Sequence, residues 1–168
     1  MYRKSLICLA AMLWGSAASA QGIVTTQRLS AALAGELVAA SVAECAKNGY
    51  AVTAVIVDLD GQRQAFLRGD GSPIHSSDNA FYKAYTAASL TLARKEAGTK
   101  AIVERMAKAA PTTVPQTPLP NVTYAVGGIA LTVNGNIIGG LGISGAPGGQ
   151  FDEACGYAAL DKVKDRMK

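Results

Sequence analysis

Two tight turns constrain the fold of this chain more than any other feature of its sequence. Asp60-Gly61 and Asn134-Gly135 each separate two runs that are rich in β-branched and large apolar residues. Such dipeptides are typical of the two-residue turns that join antiparallel strands. Five segments have the composition of strands: residues 50–58, 64–67, 122–126, 129–133 and 137–143. The sequence therefore predicts a five-stranded, mostly antiparallel sheet.

Helical periodicity occupies much of the remaining chain. Apolar side chains recur at helical spacing in four segments: residues 25–47, 76–94, 100–109 and from 150 onward. Ser76, Ser77 and Asp78 are candidate N-caps for the second of these helices. Prolines at positions 111, 115, 118 and 120 predict a stiff, extended loop after the third. We expect a single α+β domain in which helices flank the sheet.

The first twenty residues are expected to be a signal peptide. Arg3 and Lys4 precede an apolar run over residues 6–14, and Ala-Ser-Ala follows at positions 18–20. This run is shorter than the ~20 apolar residues that a membrane helix requires, and no later run approaches that length. We therefore predict a periplasmic or secreted protein without a membrane span, whose domain covers residues 21–168.

The charge of the chain argues against a nucleic-acid partner. The formal net charge is +4, but the leader carries two of the 16 basic residues and none of the 12 acidic ones. The remaining chain has 14 basic against 12 acidic residues, and its basic residues form no stripe interleaved with aromatic side chains. A nucleic-acid interface requires such a basic surface.

The inventory of metal-binding and nucleophilic residues is small. Cys45 and Cys155 remain after the leader, and they either form a disulfide or are two small buried side chains. Their spacing does not match a Cys-x-x-Cys metal site. His75 is the single histidine, which excludes zinc hydrolase chemistry of the usual kind. The sequence thus offers no strong catalytic constellation.

Several segments together carry a resemblance to a known family. They are VDLDG at 57–61, AFLRGDG at 65–71, KAYTA at 83–87, GGI at 127–129, IGGLGISGA at 138–146 and DEAC at 152–155. In this order they resemble the GlcG/HbpS-like family, whose members are also described as haem-degrading. The resemblance covers nearly all of the chain after the leader. It implies a small domain of profilin-like layout, with an antiparallel sheet between helices, that assembles into homo-oligomers.

The resemblance also implies two classes of ligand. Exported members of the family bind haem, so we expect an exported haem-binding protein that acts in sequestration, delivery or sensing. Related domains occur in some cobalamin adenosyltransferases, and other members accompany the metabolism of small acids. The alternative is therefore an enzyme or accessory protein that acts on a small carboxylic acid or a corrinoid. Haem degradation would need an electron donor and a route for oxygen, and because the sequence shows neither we expect binding without catalysis.

His75 is the first candidate for an axial ligand of haem iron. A neutral imidazole is a common iron ligand, and Pro73 and Ile74 beside it could contact a porphyrin face. The alternative is an ordinary histidine in a surface loop. Four further side chains have suitable donor atoms, although each is equally suited to the core or a helix surface: Tyr82, Tyr85, Tyr124 and Met106.

The remaining candidates for the binding site are polar or small residues at positions that match the family. Arg68 and Lys83 could pair with haem propionates or with the carboxylate of a small acid, or else form ion pairs with Asp70 or Asp78. Gly127, Gly128 and Ser144 could bring backbone and hydroxyl donors to the same pocket. Close packing of the sheet is the alternative explanation for the two glycines.

Overall fold

The computed structural model describes residues 22–109 and 119–168, and in them the chain forms one antiparallel sheet. Its four strands are β1 (Thr53–Asp58), β2 (Arg63–Arg68), β3 (Gly128–Val133) and β4 (Asn136–Ser144). The order across the sheet is β2-β1-β4-β3, and every neighbouring pair is antiparallel. The two predicted turns close the β1–β2 and β3–β4 hairpins. The α+β class and the antiparallel sheet are thereby confirmed.

Four helices surround this sheet. They are α1 (Ala31–Lys47), α2 (Ser76–Ser89), α3 (Thr99–Ala107) and α4 (Gly149–Val163), with short 3-10 turns at Leu92–Arg94 and Lys164–Arg166. The first helix begins later than the predicted residue 25 because the Ser30 side chain caps it, accepting a hydrogen bond from the Leu33 amide at 3.2 Å. The second ends at Ser89, before the predicted residue 94.

One face of the sheet packs against α1 and α4 through aliphatic side chains. Leu37 from α1, Ile56 from β1 and Leu141 from β4 are fully buried in this core. A disulfide between Cys45 and Cys155 joins the two helices, with 5.2 Å between the Cα atoms. Of the two alternatives for the cysteines, the structure therefore shows the pair. This face holds the larger apolar core of the domain.

The other face of the sheet packs closely against α2. Ala80, Ala84 and Ala88 recur every four residues on one side of this helix, and they meet a strand that has glycines at 140 and 142. A Cβ atom at Gly142 would lie 2.0 Å from the Ala80 carbonyl oxygen, so no side chain fits there. The glycines of β4 therefore allow the helix backbone to approach the strand.

The prediction of a fifth strand at residues 122–126 is wrong. The outer edge of β3, where such a strand would pair, already bonds another segment: the Ala130 amide donates to the Ala97 carbonyl, and Gly98 forms a bridge with Ile129. Residues 122–126 instead cross α2, where the Thr123 amide donates to the Thr86 hydroxyl at 2.9 Å. The apolar composition of the segment matched a strand, but the edge was not available to it.

Two sequence predictions lie outside the described residues. They are the leader at 1–20 and all but the last proline of the loop at 111–120. Within residues 22–109 and 119–168, the helices are too short or too polar to cross a bilayer.

Candidate functional site

A cavity of about 510 Å³ lies where the N-terminal half of α2, the end of β4 and the start of α4 meet. His75, Lys83 and Ser144, all predicted from the sequence, line it together. Its volume is within the range of small-molecule sites, roughly 300 to 1,000 Å³. Three elements that are distant in the sequence therefore build one candidate ligand site.

Helical spacing places one row of polar side chains along the cavity. His75, Asn79 and Lys83 are four residues apart, so they lie on the same side of α2. Because the glycines of β4 let α2 approach the strand, the Asn79 amide nitrogen reaches the Ser144 hydroxyl at 2.9 Å. The close packing that shapes the fold thus also assembles the cavity.

A buried ion pair forms the base of the cavity. The Lys83 ammonium donates to an Asp152 carboxylate oxygen at 2.7 Å and to the Ile143 carbonyl at 2.9 Å. Both charged side chains are 3% exposed. The other Asp152 oxygen accepts the Ala146 amide at 3.0 Å, which ties the loop after β4 to the pair. The ion pair therefore holds α2, β4 and α4 in one arrangement.

Burial dominates the electrostatics of this pair. It raises the pKa of the Asp152 carboxyl above the usual value, although the Lys83 ammonium and the Ala146 amide act in the opposite direction. A Cβ atom at Gly127, where φ is +117°, would lie 2.9 Å from the Lys83 nitrogen. The absence of a side chain at this position therefore leaves room for the ammonium group.

A network of hydroxyl groups fixes the loop that carries His75. The Thr53, Ser72 and Ser76 hydroxyls are hydrogen-bonded to one another at 2.6 to 3.0 Å, and all three residues are buried. The Ser76 hydroxyl also donates to the Pro73 carbonyl. Ser76 is therefore engaged in the loop, and α2 has no side-chain cap of the predicted kind.

Arg68 supports this loop and does not line the cavity. Its guanidinium donates twice to the Ser72 carbonyl, at 2.5 and 3.1 Å. Neither predicted ion-pair alternative is present in the described residues, since Lys83 pairs with Asp152 and Arg68 bonds a carbonyl. Arg68 therefore holds the main chain just before His75.

Two other predicted site residues also lie apart from the cavity. Tyr85 is half-buried against the Phe81 ring, and it lines a separate hollow of about 80 Å³ with the Asp58–Gly61 turn. Gly128 is buried under α2, where a Cβ atom would lie 2.3 Å from the Lys83 carbonyl oxygen. Close packing of α2 on the sheet is thus a sufficient explanation for a glycine at position 128.

The remaining ligand candidates do not line the cavity either. Tyr82 and Tyr124 are exposed, although Tyr124 adjoins Ala125 in the cavity wall, and Met106 is half-buried on α3. Sequence reasoning missed Asn79, Gln150 and the pairing of Asp152 with Lys83. The spacing of Asn79 from His75 could have revealed the first, whereas the ion pair spans 69 residues and left no local signal.

Residues 29–161 match the family described as "Haem degrading protein HbpS-like". The chain belongs to the HbpS-like family. No curated protein matches it.

Several solved structures of similar proteins have the same fold. A double mutant of HbpS from Streptomyces reticuli superposes with a TM-score of 0.75 and 31% identity, covering 88% of this chain and 95% of that one. The ORFY protein of Klebsiella pneumoniae gives 0.70 and 25%, with 84% and 97% covered. The crystal structure of a PduOC–haem complex gives 0.68 and 29%, with 80% and 94% covered. The family and its fold are therefore established, and one similar domain has been seen with haem.

Proposed function

We propose that this HbpS-like protein binds haem in the cavity between α2, β4 and α4. The observation that carries the proposal is the position of His75, which is exposed on the cavity wall and forms no side-chain hydrogen bond among the described residues. A neutral imidazole in this position can present the lone pair of one ring nitrogen to an iron ion. The family match and the haem complex of the similar PduOC domain support the same ligand.

The residues around His75 fit a tetrapyrrole in chemistry as well as in position. Pro73 and Val126 supply apolar cavity wall, and Ile74 beside the imidazole is 83% exposed. An exposed isoleucine next to a potential iron ligand offers a surface for a flat apolar ring. Bound haem would supply a redox-active iron, and the chain would supply the imidazole and this wall.

A titration with hemin tests the proposal. We expect a shift of the Soret band on addition to the purified protein, which is lost in His75→Ala and altered in His75→Tyr. Gln62→Ala, in the exposed β1–β2 turn, is the matched control and should behave as the native protein. The absence of any shift would refute haem binding, whereas an unchanged shift in His75→Ala would refute only the role of His75.

We further propose that the protein is exported and acts as a homo-oligomer in sequestration, delivery or sensing. The basic and apolar leader supports export, and the Cys45–Cys155 disulfide is typical of oxidising compartments. Cell fractionation followed by mass spectrometry should find a mature chain that begins at Gln21. Light scattering should find a mass that is a multiple of that chain.

The alternative function has support in the polar base of the cavity. A protein that acts on a small carboxylic acid or a corrinoid would need polar contacts, and Lys83, Asn79 and Ser144 provide them. A ligand that binds only the folded state raises the melting temperature. Stabilisation by succinate or cobalamin, without stabilisation by hemin, would favour this alternative.

A further inference from the structure

The polar side chains at the base of the cavity keep three hydrogen-bond donors that no partner among the described residues accepts. An ammonium group has three N–H donors, and Lys83 uses two of them on partners within the described residues. The Ser144 hydroxyl accepts from Asn79, so its own proton is available to another acceptor. The Asn79 amide has a second N–H as well. As whole residues Lys83 and Ser144 are 2% and 3% exposed, so their donors have little access to solvent, whereas Asn79 is half-buried.

The acceptors in the same place are partly in use. Each carboxylate oxygen of Asp152 accepts one hydrogen bond and keeps a second lone pair, and the Ile143 carbonyl accepts from Lys83. Among the described residues, none of these acceptors bonds to the three remaining donors. Buried donors are normally satisfied, and a ligand group with several acceptor lone pairs would satisfy them together.

We infer that Lys83, Ser144 and Asn79 form a subsite for a carboxylate group at the base of the cavity. The carboxylate belongs either to a propionate of a tetrapyrrole or to a free small carboxylic acid. This deepens the proposed function, on which it rests for the location of the site. In the tetrapyrrole case, these three side chains would hold a propionate, and the exposed Ile74 would offer an apolar surface to the ring.

The ion pair decides how such a subsite selects its ligand. Asp152 neutralises the Lys83 charge at 2.7 Å, so the base of the cavity has little net attraction for anions in general. Selection depends instead on directed hydrogen bonds, which are stronger when the acceptor is ionised. We expect affinity for carboxylates to fall only slightly with added salt, in contrast to a site built from exposed basic residues.

Haem and its dimethyl ester separate the subsite from the rest of the site. Both have the same iron and ring, but the ester has no ionised carboxylate. We expect the native protein to bind the ester about tenfold more weakly than haem. Equal affinity for the two would overturn the carboxylate subsite while leaving haem binding intact.

Charge and donor variants give a second test of the same subsite. Gln150→Glu places a negative charge on an exposed residue of the cavity wall, in the first turn of α4 where it favours the helix. Gln27→Glu makes the same change of charge outside this cavity. Ser144→Ala removes a donor, with Ser77→Ala as its control. The preference for haem over the ester should collapse in Gln150→Glu and Ser144→Ala and persist in both controls.

Free acids distinguish failure of the subsite from failure of the haem proposal. Acetate and succinate, at millimolar concentration and constant ionic strength, should raise the melting temperature, and Gln150→Glu should abolish the effect. If neither porphyrin binds but succinate still stabilises in this way, the subsite stands and haem binding falls. If the acids give no stabilisation and the ester binds as well as haem, the subsite is refuted.

Discussion

The two faces of the sheet are packed by different means. On the α1/α4 face, aliphatic side chains and a disulfide close a core in which the described side chains are mostly apolar. On the α2 face, a row of alanines rests on glycines, and the buried polar groups lie along the same helix. Close backbone approach on the second face brings polar side chains within hydrogen-bond distance. The first face supplies stability, and the second supplies the site.

The two faces are connected at one ion pair. Lys83 belongs to α2 and Asp152 belongs to α4, and they meet beside Gly127 and Gly128 at the start of β3. A side chain at either glycine would collide with Lys83 or its backbone. The candidate site is thus coupled to the α1/α4 face, because the Lys83–Asp152 ion pair needs both α2 and α4 in place.

The largest expected effect comes from breaking this connection. Asp152→Ala leaves the Lys83 ammonium buried without its partner, so we expect the free energy of unfolding to fall by about 3–5 kcal/mol. The double variant Lys83→Met/Asp152→Asn removes both charges and retains an acceptor for the Ala146 amide. Urea unfolding should show that it recovers at least part of the loss. Equal losses in both would mean that the pair does not couple the faces.

Removal of the disulfide tests whether the α1/α4 face is the stable one. Cys45 and Cys155 are 110 residues apart, and a bond across such a separation restricts the unfolded chain strongly. We expect Cys45→Ala/Cys155→Ala to lower the free energy of unfolding by about 2–5 kcal/mol. Hemin binding at saturation should remain, since the cavity has no wall from α1. Loss of hemin binding by the folded variant would contradict the assignment of stability to the α1/α4 face and of binding to the α2 face.

A methyl group at Gly142 tests the close packing of α2. Gly142→Ala places a Cβ atom against the Ala80 carbonyl and so pushes α2 away from β4. We expect destabilisation by about 1–3 kcal/mol and weaker hemin binding, because Asn79 and Ser144 move apart. Gly35→Ala, where an added Cβ atom meets nothing within 4 Å, is the control. Unchanged binding in Gly142→Ala would show that the site does not depend on this approach.

The pH dependence of stability should report Asp152. Its pKa is raised by burial above the usual 3.8, so the folded state holds the proton more tightly than the unfolded state. The contribution of this group to stability is therefore greatest below pH 3.8, where the protonated carboxyl can still accept a hydrogen bond from Lys83 as an alanine cannot, and it is lost as the pH rises through the folded pKa. Unfolding measured at several pH values should show this loss in the native protein and not in Lys83→Met/Asp152→Asn.

The smallest expected effect on stability is that of His75. Its side chain is exposed and forms no hydrogen bond within the described residues, so His75→Ala should change the free energy of unfolding by less than about 0.5 kcal/mol. The same variant should lose the Soret shift. A large loss of stability would mean that His75 is a structural residue of the loop.

Local signals in the sequence predicted most elements of the fold. The two Asx-Gly turns located both hairpins, and helical periodicity located four helices. The prediction of a fifth strand failed because the composition of a segment shows that it can form a strand. It does not show whether a sheet edge is available for pairing. Ala97 and Gly98 occupy that edge, and their distance from β3 in the sequence concealed the competition.

The candidate site could be predicted only in part. Lys83 and Ser144 are predicted from the family resemblance and His75 from the chemistry of its imidazole, and all three line one cavity. Arg68 and Tyr85 lie on neighbouring elements, but their side chains reach a loop carbonyl and a separate hollow. A resemblance places residues in order along the chain, whereas the direction of each side chain depends on local packing.

The sequence by itself determined the hairpins, the helices, the family and the presence of a histidine before α2. Only the tertiary structure decided that Cys45 pairs with Cys155 and that Lys83 pairs with Asp152, because each contact joins residues that are many positions apart. Turns and helices depend on neighbours within a few residues, so short patterns reveal them. A buried ion pair and a cavity depend on which distant residues the folded helices and strands bring together. No pattern within a few residues of the sequence specifies those contacts.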